Sequence, residues 1–94
     1  MSEATVPVDG EFEMARTFTV EPELERALEQ PGLERLTLDL SGVTFLDSTG
    51  LGVVLRLASE LQQRGIELRI VPGPPEVQRV FATAGLSDVL PFRR

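Results

Sequence analysis

The sequence contains no cysteine, histidine, tryptophan or tyrosine. Without cysteine there is no disulfide framework, thiolate metal site or cysteine nucleophile. Without histidine a Ser-His-Asp triad cannot form, and the commonest general base at neutral pH is missing. No paired carboxylates stand at a spacing that suits acid–base chemistry, and scattered acids are a weak basis for a metal site. We therefore predict that the protein is not an enzyme and has no catalytic residues, metal or cofactor.

Long apolar runs are also missing. None approaches the roughly 18 residues that cross a bilayer, and residues 1–13 lack the basic and apolar segments of a secretory signal. We expect a cytoplasmic protein with no membrane partner. Fifteen acidic residues against nine basic ones give a net charge of −6, which would repel a phosphate backbone. With no tryptophan or tyrosine for stacking on bases, nucleic acid is not expected as a partner.

What remains is ordinary globular composition. The chain has 94 residues, of which 41% are hydrophobic and 26% charged, and this fits one folded domain over residues 1–94 with one modest core.

Apolar and polar residues alternate in the first part of the chain. Apolar residues keep one parity from Val6 to Val20, which predicts strands within residues 5–20, a short one and then a longer one, with a turn at Asp9-Gly10. Residues 21–30 predict a short helix with Pro22 at its first helical position.

The remaining periodicities are clearer. A strand is predicted at 36–45, a helix at 49–64 that ends at Gly65, a strand at 66–71 and a helix at 76–84. This order predicts an α/β fold, with a mixed, mostly parallel β-sheet of about four strands and about three to four helices packed mainly on one face.

The motif Asp47-Ser48-Thr49-Gly50 stands between a strand and a helix and allows two interpretations. All three polar side chains can cap the free N–H groups of a first helical turn. Alternatively, a hydroxyl at that edge of a parallel sheet is exposed where ligands bind and can be phosphorylated. DSTGLG matches neither GxxxxGK[ST] nor GxGxxG, so a nucleotide loop is disfavoured.

The helix itself offers a second observation. At 100° per residue, Val53 falls beside Arg56 and roughly opposite a predicted core stripe that includes Leu51, Leu55 and Ala58. We therefore predict that Val53 is exposed and forms a small, smooth patch with Gly50, Gly52 and the two hydroxyls.

Residues 36–92 carry a family resemblance. They contain DLSGV at 39–43, DSTGLG at 47–52, RG at 64–65 and a P-x-x-V-x-R-V-F helix followed by AGL at 84–86. In these elements the chain resembles the STAS-domain family, specifically the bacterial anti-sigma factor antagonists of the sporulation and stress-response type.

The resemblance implies a function. It implies a small STAS-like domain that binds an anti-sigma factor with an ATPase-type fold and thereby frees a sigma factor. In that family the anti-sigma factor is also a serine kinase that phosphorylates the hydroxyl after the motif aspartate, and a phosphatase reverses the modification. Ser48 is accordingly the predicted phosphorylation site. The predicted partner-binding residues are Asp47, Ser48, Thr49, Gly50, Leu51, Gly52, Val53 and Arg56.

The chain departs from the family pattern near its start. Family members have a GELD-like strand end close to the first helix, whereas GEFE at 10–13 is followed by MARTFTVE before the predicted helix. We expect atypical N-terminal strands, with an exposed edge through which a second copy could pair as a homodimer.

Two other functions compete with this one. The first is a STAS docking module that is not phosphorylated, similar to those of lipid-transport or stressosome-type assemblies. The second is a small hydrolase with Ser48 as nucleophile, which the absence of histidine disfavours.

Overall fold

The computed structural model describes residues 2–92. Its elements are β1 (Ser2–Phe12), α1 (Met14–Leu28), β2 (Leu33–Leu46), α2 (Ser48–Arg64), β3 (Glu67–Val71) and α3 (Pro75–Thr83). Strand β2 lies between β1 and β3 and runs parallel to both. The predicted α/β class is confirmed, with three parallel strands in the described part of the chain where about four in a mixed sheet were predicted.

The N-terminal prediction is wrong in its second half. Residues 14–20 are helical, because α1 begins at Met14 and buries Thr17, Val20 and Leu24 at helical spacing. The alternation that predicted a strand counted Met14 and Phe18 as core residues, but they are 63% and 77% exposed. The predicted departure from the family pattern also disappears, since β1 ends at Phe12 and the first helix follows almost at once.

Pro22 lies inside α1 rather than at its start. Proline has no N–H to donate to the carbonyl four residues earlier, so an interior proline usually weakens a helix. Here the side chain is exposed, and the buried residues on either side hold the helix on the sheet. Tertiary packing therefore overrides the local preference that placed the helix start at residue 21.

The sheet has one buried and one uncovered face. Alternate residues of all three strands point into the core, and Leu36, Leu38, Leu40 and Ile70 are completely buried there. Their neighbours Arg35, Thr37 and Asp39 are only half-buried, and Glu67 and Arg69 are exposed. The prediction that the helices cover mainly one face is confirmed.

The uncovered face is organised by charge. Arg35 pairs in register with Glu3 and Glu67, and its guanidinium lies 3.4 Å and 3.1 Å from their carboxylates. The hydrogen bond and the charge of Glu67, followed by the charge of Glu3, raise the pKa of Arg35. Opposite charges thus alternate across the three strands, an arrangement that favours this register.

The second half of the fold follows the sequence closely. Helix α2 ends at Gly65, whose φ of 70° is the left-handed conformation that favours glycine. Phe81 of α3 is buried and meets Phe92 edge-to-face with ring centroids 5.0 Å apart. The C-terminal tail packs beside β3 through a bridge between Ile70 and Phe92.

Strands β1 and β3 form the edges of the described sheet. Homodimerisation through the β1 edge stays a prediction, although the shifted strands that motivated it are not observed. Among residues 2–92, no helix combines the length and the apolar character that crossing a membrane requires.

Adjacent positions on β2 allow a matched test of the two faces. Leu38 is completely buried, so Leu38→Ala is expected to lower the free energy of unfolding by about 3 kcal/mol through lost burial and a residual cavity. Thr37→Ala changes the uncovered face and is expected to lower it by less than about 1 kcal/mol. Urea unfolding followed by circular dichroism measures both; equal losses would contradict the assignment of the faces.

Candidate functional site

Asp47 caps helix α2. It has extended backbone geometry, and its Oδ1 accepts hydrogen bonds from the N–H groups of Thr49 at 2.9 Å and Gly50 at 3.0 Å. Its own carbonyl accepts from the N–H of Leu51 at 3.0 Å. The capping interpretation of the motif is therefore confirmed for Asp47, and it leaves the hydroxyls of Ser48 and Thr49 without a necessary structural role.

The first turn of α2 is pressed against the end of β1. The Phe12 carbonyl accepts a hydrogen bond from the N–H of Asp47 at 3.4 Å. A Cβ added at Gly50 would lie 2.4 Å from that same carbonyl oxygen and 2.8 Å from Cδ1 of Leu46. Glycine is required at position 50 because the backbone of β1 occupies the space of any side chain.

This packing decides how far each hydroxyl is exposed. Ser48 is the first residue of α2 and is exposed, whereas Thr49 is half-buried. Of the two motif hydroxyls, the one predicted to be modified is thus the more accessible.

Val53 does not lie where the sequence predicted. It is only 3% exposed, and it lines the narrow groove between α1 and α2 together with Leu24 and Leu28. The buried residues of α2 are Gly50, Val53, Val54, Leu57 and Leu61, while Leu55, assigned to the core stripe, is 39% exposed. The predicted stripe was rotated because it allowed for the sheet alone, whereas α1 covers a second side of α2.

Gly50 is likewise buried, so two of the predicted partner-binding residues lie behind the surface rather than on it. Gly52 is half-buried, with open space limited mainly by the Nη1 of Arg56, 3.4 Å from an added Cβ. Arg56 is exposed and lies 3.8 Å from the carboxylate of Glu21 on α1.

A groove of about 420 Å³ opens beside Ser48, between the start of α2 and helix α3. Its α2 side is formed by Asp47, Ser48 and Leu51, with Leu46 of β2. Its α3 side is formed by Glu76, Arg79, Val80, Thr83 and Ala84. The lining thus combines aliphatic side chains with the exposed Ser48 and three charged residues.

The sequence prediction missed the α3 side of this groove. The P-x-x-V-x-R-V-F pattern contributed to the family resemblance, but its arginine, Arg79, received no role. The available signal was that Arg79 lies between Val77 and Phe81, which are both buried, so its side chain points away from the core. Within residues 2–92, no group of acidic side chains is arranged to hold a metal ion.

Comparison with known proteins gives consistent results. The sequence model of the STAS domain matches residues 2–94. An anti-sigma-B factor antagonist of Staphylococcus aureus (strain NCTC 8325 / PS 47) is 35% identical over 88 residues, covering 90% of this chain and 78% of the relative. An anti-sigma F factor antagonist of Paenibacillus polymyxa is 29% identical over 87 residues, covering 93% of this chain and 74% of the relative.

A solved structure shares the fold. The anti-sigma factor antagonist SpoIIAA in its unphosphorylated form matches with a TM-score of 0.78 at 22% identity, over 98% of this chain and 81% of that one. At this identity the match is one of fold.

Two glycines of α2 give a matched test of the close contact with β1. Gly50→Ala places a methyl group against the Phe12 backbone and is expected to lower the free energy of unfolding by about 2 kcal/mol. Gly52→Ala meets only the flexible end of Arg56 and is expected to raise it by up to about 1 kcal/mol through better helix propensity. Urea denaturation compares the two, and a stabilising Gly50→Ala would refute the contact.

The cap can be tested separately. Asp47→Ala removes the acceptor for two N–H groups and is expected to lower the free energy of unfolding by about 1 kcal/mol. Asp47→Asn keeps an oxygen acceptor at that position and is expected to retain most of the stability. If thermal unfolding shows the same loss for both variants, the hydrogen bonds are not the source of the effect.

Proposed function

This chain belongs to the STAS domain family, and we propose that it is an anti-sigma factor antagonist that is switched off by phosphorylation of Ser48. In its unmodified form it binds an anti-sigma factor with an ATPase-type fold and so releases a sigma factor for transcription. The protein is then a binding partner and a substrate, not a catalyst.

The observation that carries the proposal is the exposed hydroxyl of Ser48 on a firmly held helix start. The cap by Asp47 and the contact of Gly50 with β1 fix the position of the first turn. The side chain of Ser48 projects from that turn without being needed for it. Similarity to two proteins named as anti-sigma factor antagonists supports the same function.

The modification is a phosphoryl transfer from a nucleoside triphosphate bound by the anti-sigma factor, which acts as the kinase. The Ser48 oxygen forms a bond to the γ-phosphorus and loses its proton, while the bond to the bridging oxygen breaks and a nucleoside diphosphate leaves. A phosphatase restores the hydroxyl by hydrolysis. Such a protein would act in the cytoplasm, where the sigma factor acts.

The switch follows from the charge that is added. Phosphoserine carries about −1.5 to −2 charges at neutral pH. The positive end of the α2 dipole tolerates this charge, so the fold is retained. In a packed interface the same group would clash and would have to lose its hydration, so binding is lost.

The partner surface is centred on the exposed and half-buried residues of the α2 start, namely Asp47, Ser48, Thr49, Leu51, Gly52 and Arg56. Gly50 and Val53 support it from beneath, because both are buried. Their contribution to binding is therefore through the position of the helix.

A pull-down from lysate of the native host tests the proposal. Wild type and Ser48→Ala are expected to retain an anti-sigma factor with an ATPase-type fold, and Ser48→Asp is expected to bind it at least tenfold more weakly. Tenfold corresponds to about 1.4 kcal/mol. Mass spectrometry identifies the partner and shows whether the wild-type protein carries phosphate on Ser48.

Ser59→Asp is the matched control, because Ser59 is an exposed serine on the same helix, away from the capped end. It adds the same charge to α2 and is expected to leave binding unchanged. If all four baits retain the same amount of partner and Ser48 is unmodified, the switch is refuted and the protein is a constitutive docking module.

A further inference from the structure

We propose that Arg79 of α3 binds the phosphate of modified Ser48 across the groove between α2 and α3. This inference rests on the proposed function, since that function supplies the phosphoryl group. It adds a defined structure for the phosphorylated state, held by a residue outside the DSTG motif.

The groove brings the two residues together. Ser48 and Arg79 line the same groove of about 420 Å³ from opposite sides, and both are exposed. An arginine side chain is long, and its planar guanidinium binds two oxygens of a phosphate at once.

Three N–H groups of the first turn of α2 already have acceptors. Asp47 Oδ1 already accepts from the N–H groups of Thr49 and Gly50, and the carbonyl of Asp47 accepts from Leu51. A phosphate on Ser48 would have to displace the cap to use these donors. A cationic side chain on another element can bind the phosphate without displacing the cap.

Arg79 is the arginine that suits this role. Arg56 is nearer in sequence, but it faces α1, where it lies 3.8 Å from Glu21. Arg64 pairs with Glu60 at 2.7 Å near the other end of α2. Arg79 forms no ion pair with the described residues 2–92 and lines the groove in which Ser48 lies.

Two acids in the groove oppose the pairing. Asp47 and Glu76 line the same groove as Arg79, so the groove carries two negative charges and one positive charge while Ser48 is a neutral hydroxyl. A dianionic phosphate on Ser48 would compete with these two carboxylates for Arg79 at short range. The phosphate would then lie over the aliphatic floor formed by Leu51 and Val80, so that charge covers a surface that was apolar.

The test uses the full chain with phosphoserine incorporated genetically at position 48, and a phosphorus-31 NMR titration of its second pKa. A nearby guanidinium favours the dianion and lowers this pKa, whereas nearby negative charges raise it. Arg79→Ala is therefore expected to raise the phosphate pKa by about half a unit. Arg79→Gln, which keeps a polar side chain without the charge, is expected to raise it equally.

Arg56→Ala is the control and is expected to leave the phosphate pKa unchanged. The proposal is overturned if neither Arg79 variant shifts the pKa, if only Arg79→Ala does, or if Arg56→Ala shifts it as much. Because the phosphate is installed during translation, this experiment needs no kinase or partner. If the titration fails, the role of Arg79 is refuted but the phosphorylation switch is not. If the pull-down fails, the switch is refuted but the titration result still holds.

Discussion

The contact between the end of β1 and the first turn of α2 determines the geometry of the site. The carbonyl oxygen of Phe12 accepts a hydrogen bond from the N–H of Asp47 and occupies the space that a side chain at Gly50 would need. Because backbone meets backbone there, the helix start can neither rotate nor shift without breaking the strand end or the cap. Ser48 consequently projects from a fixed point, so the proposed modification would change the surface and leave the fold intact.

Much of the fold could be predicted from the sequence, and the exception has a physical reason. Strand β2, helix α2, strand β3 and helix α3 each combine clear periodicity with a turn or cap residue such as Gly65. Residues 14–20 carry two periodicities at once, and the alternating one depends on Met14 and Phe18, which are exposed. The segment is helical because the helical conformation buries Thr17 and Val20. Local sequence cannot show which of two apolar patterns the rest of the chain will cover.

The candidate site divides in the same way. A cap within residues 47–49 and an exposed hydroxyl follow from residue type and spacing, because both are properties of one strand–helix junction; that Asp47 is the cap is seen only in the structure. The burial of Val53 depends on α1, and the groove depends on α3, some thirty residues further along the chain. An element that lies between two neighbours cannot have its exposed side assigned from its own sequence. The STAS resemblance placed the motif correctly within this fold, while the side chains that face the motif depend on how α3 packs.

The parallel register of the sheet also sets an order of assembly. Ser2 pairs with Leu33 and Phe12 with Leu46, so every contact between these strands must close a loop of roughly thirty residues before it gains any stability. Synthesis proceeds from the N-terminus, and β1, α1, β2 and α2 are all available before α3 leaves the ribosome. The capped helix end carrying Ser48 can therefore form while the opposite wall of the groove is still unmade. A nascent chain would expose the Ser48 hydroxyl before α3 brings Arg79 to the groove. The two sides of the groove would therefore form at different times.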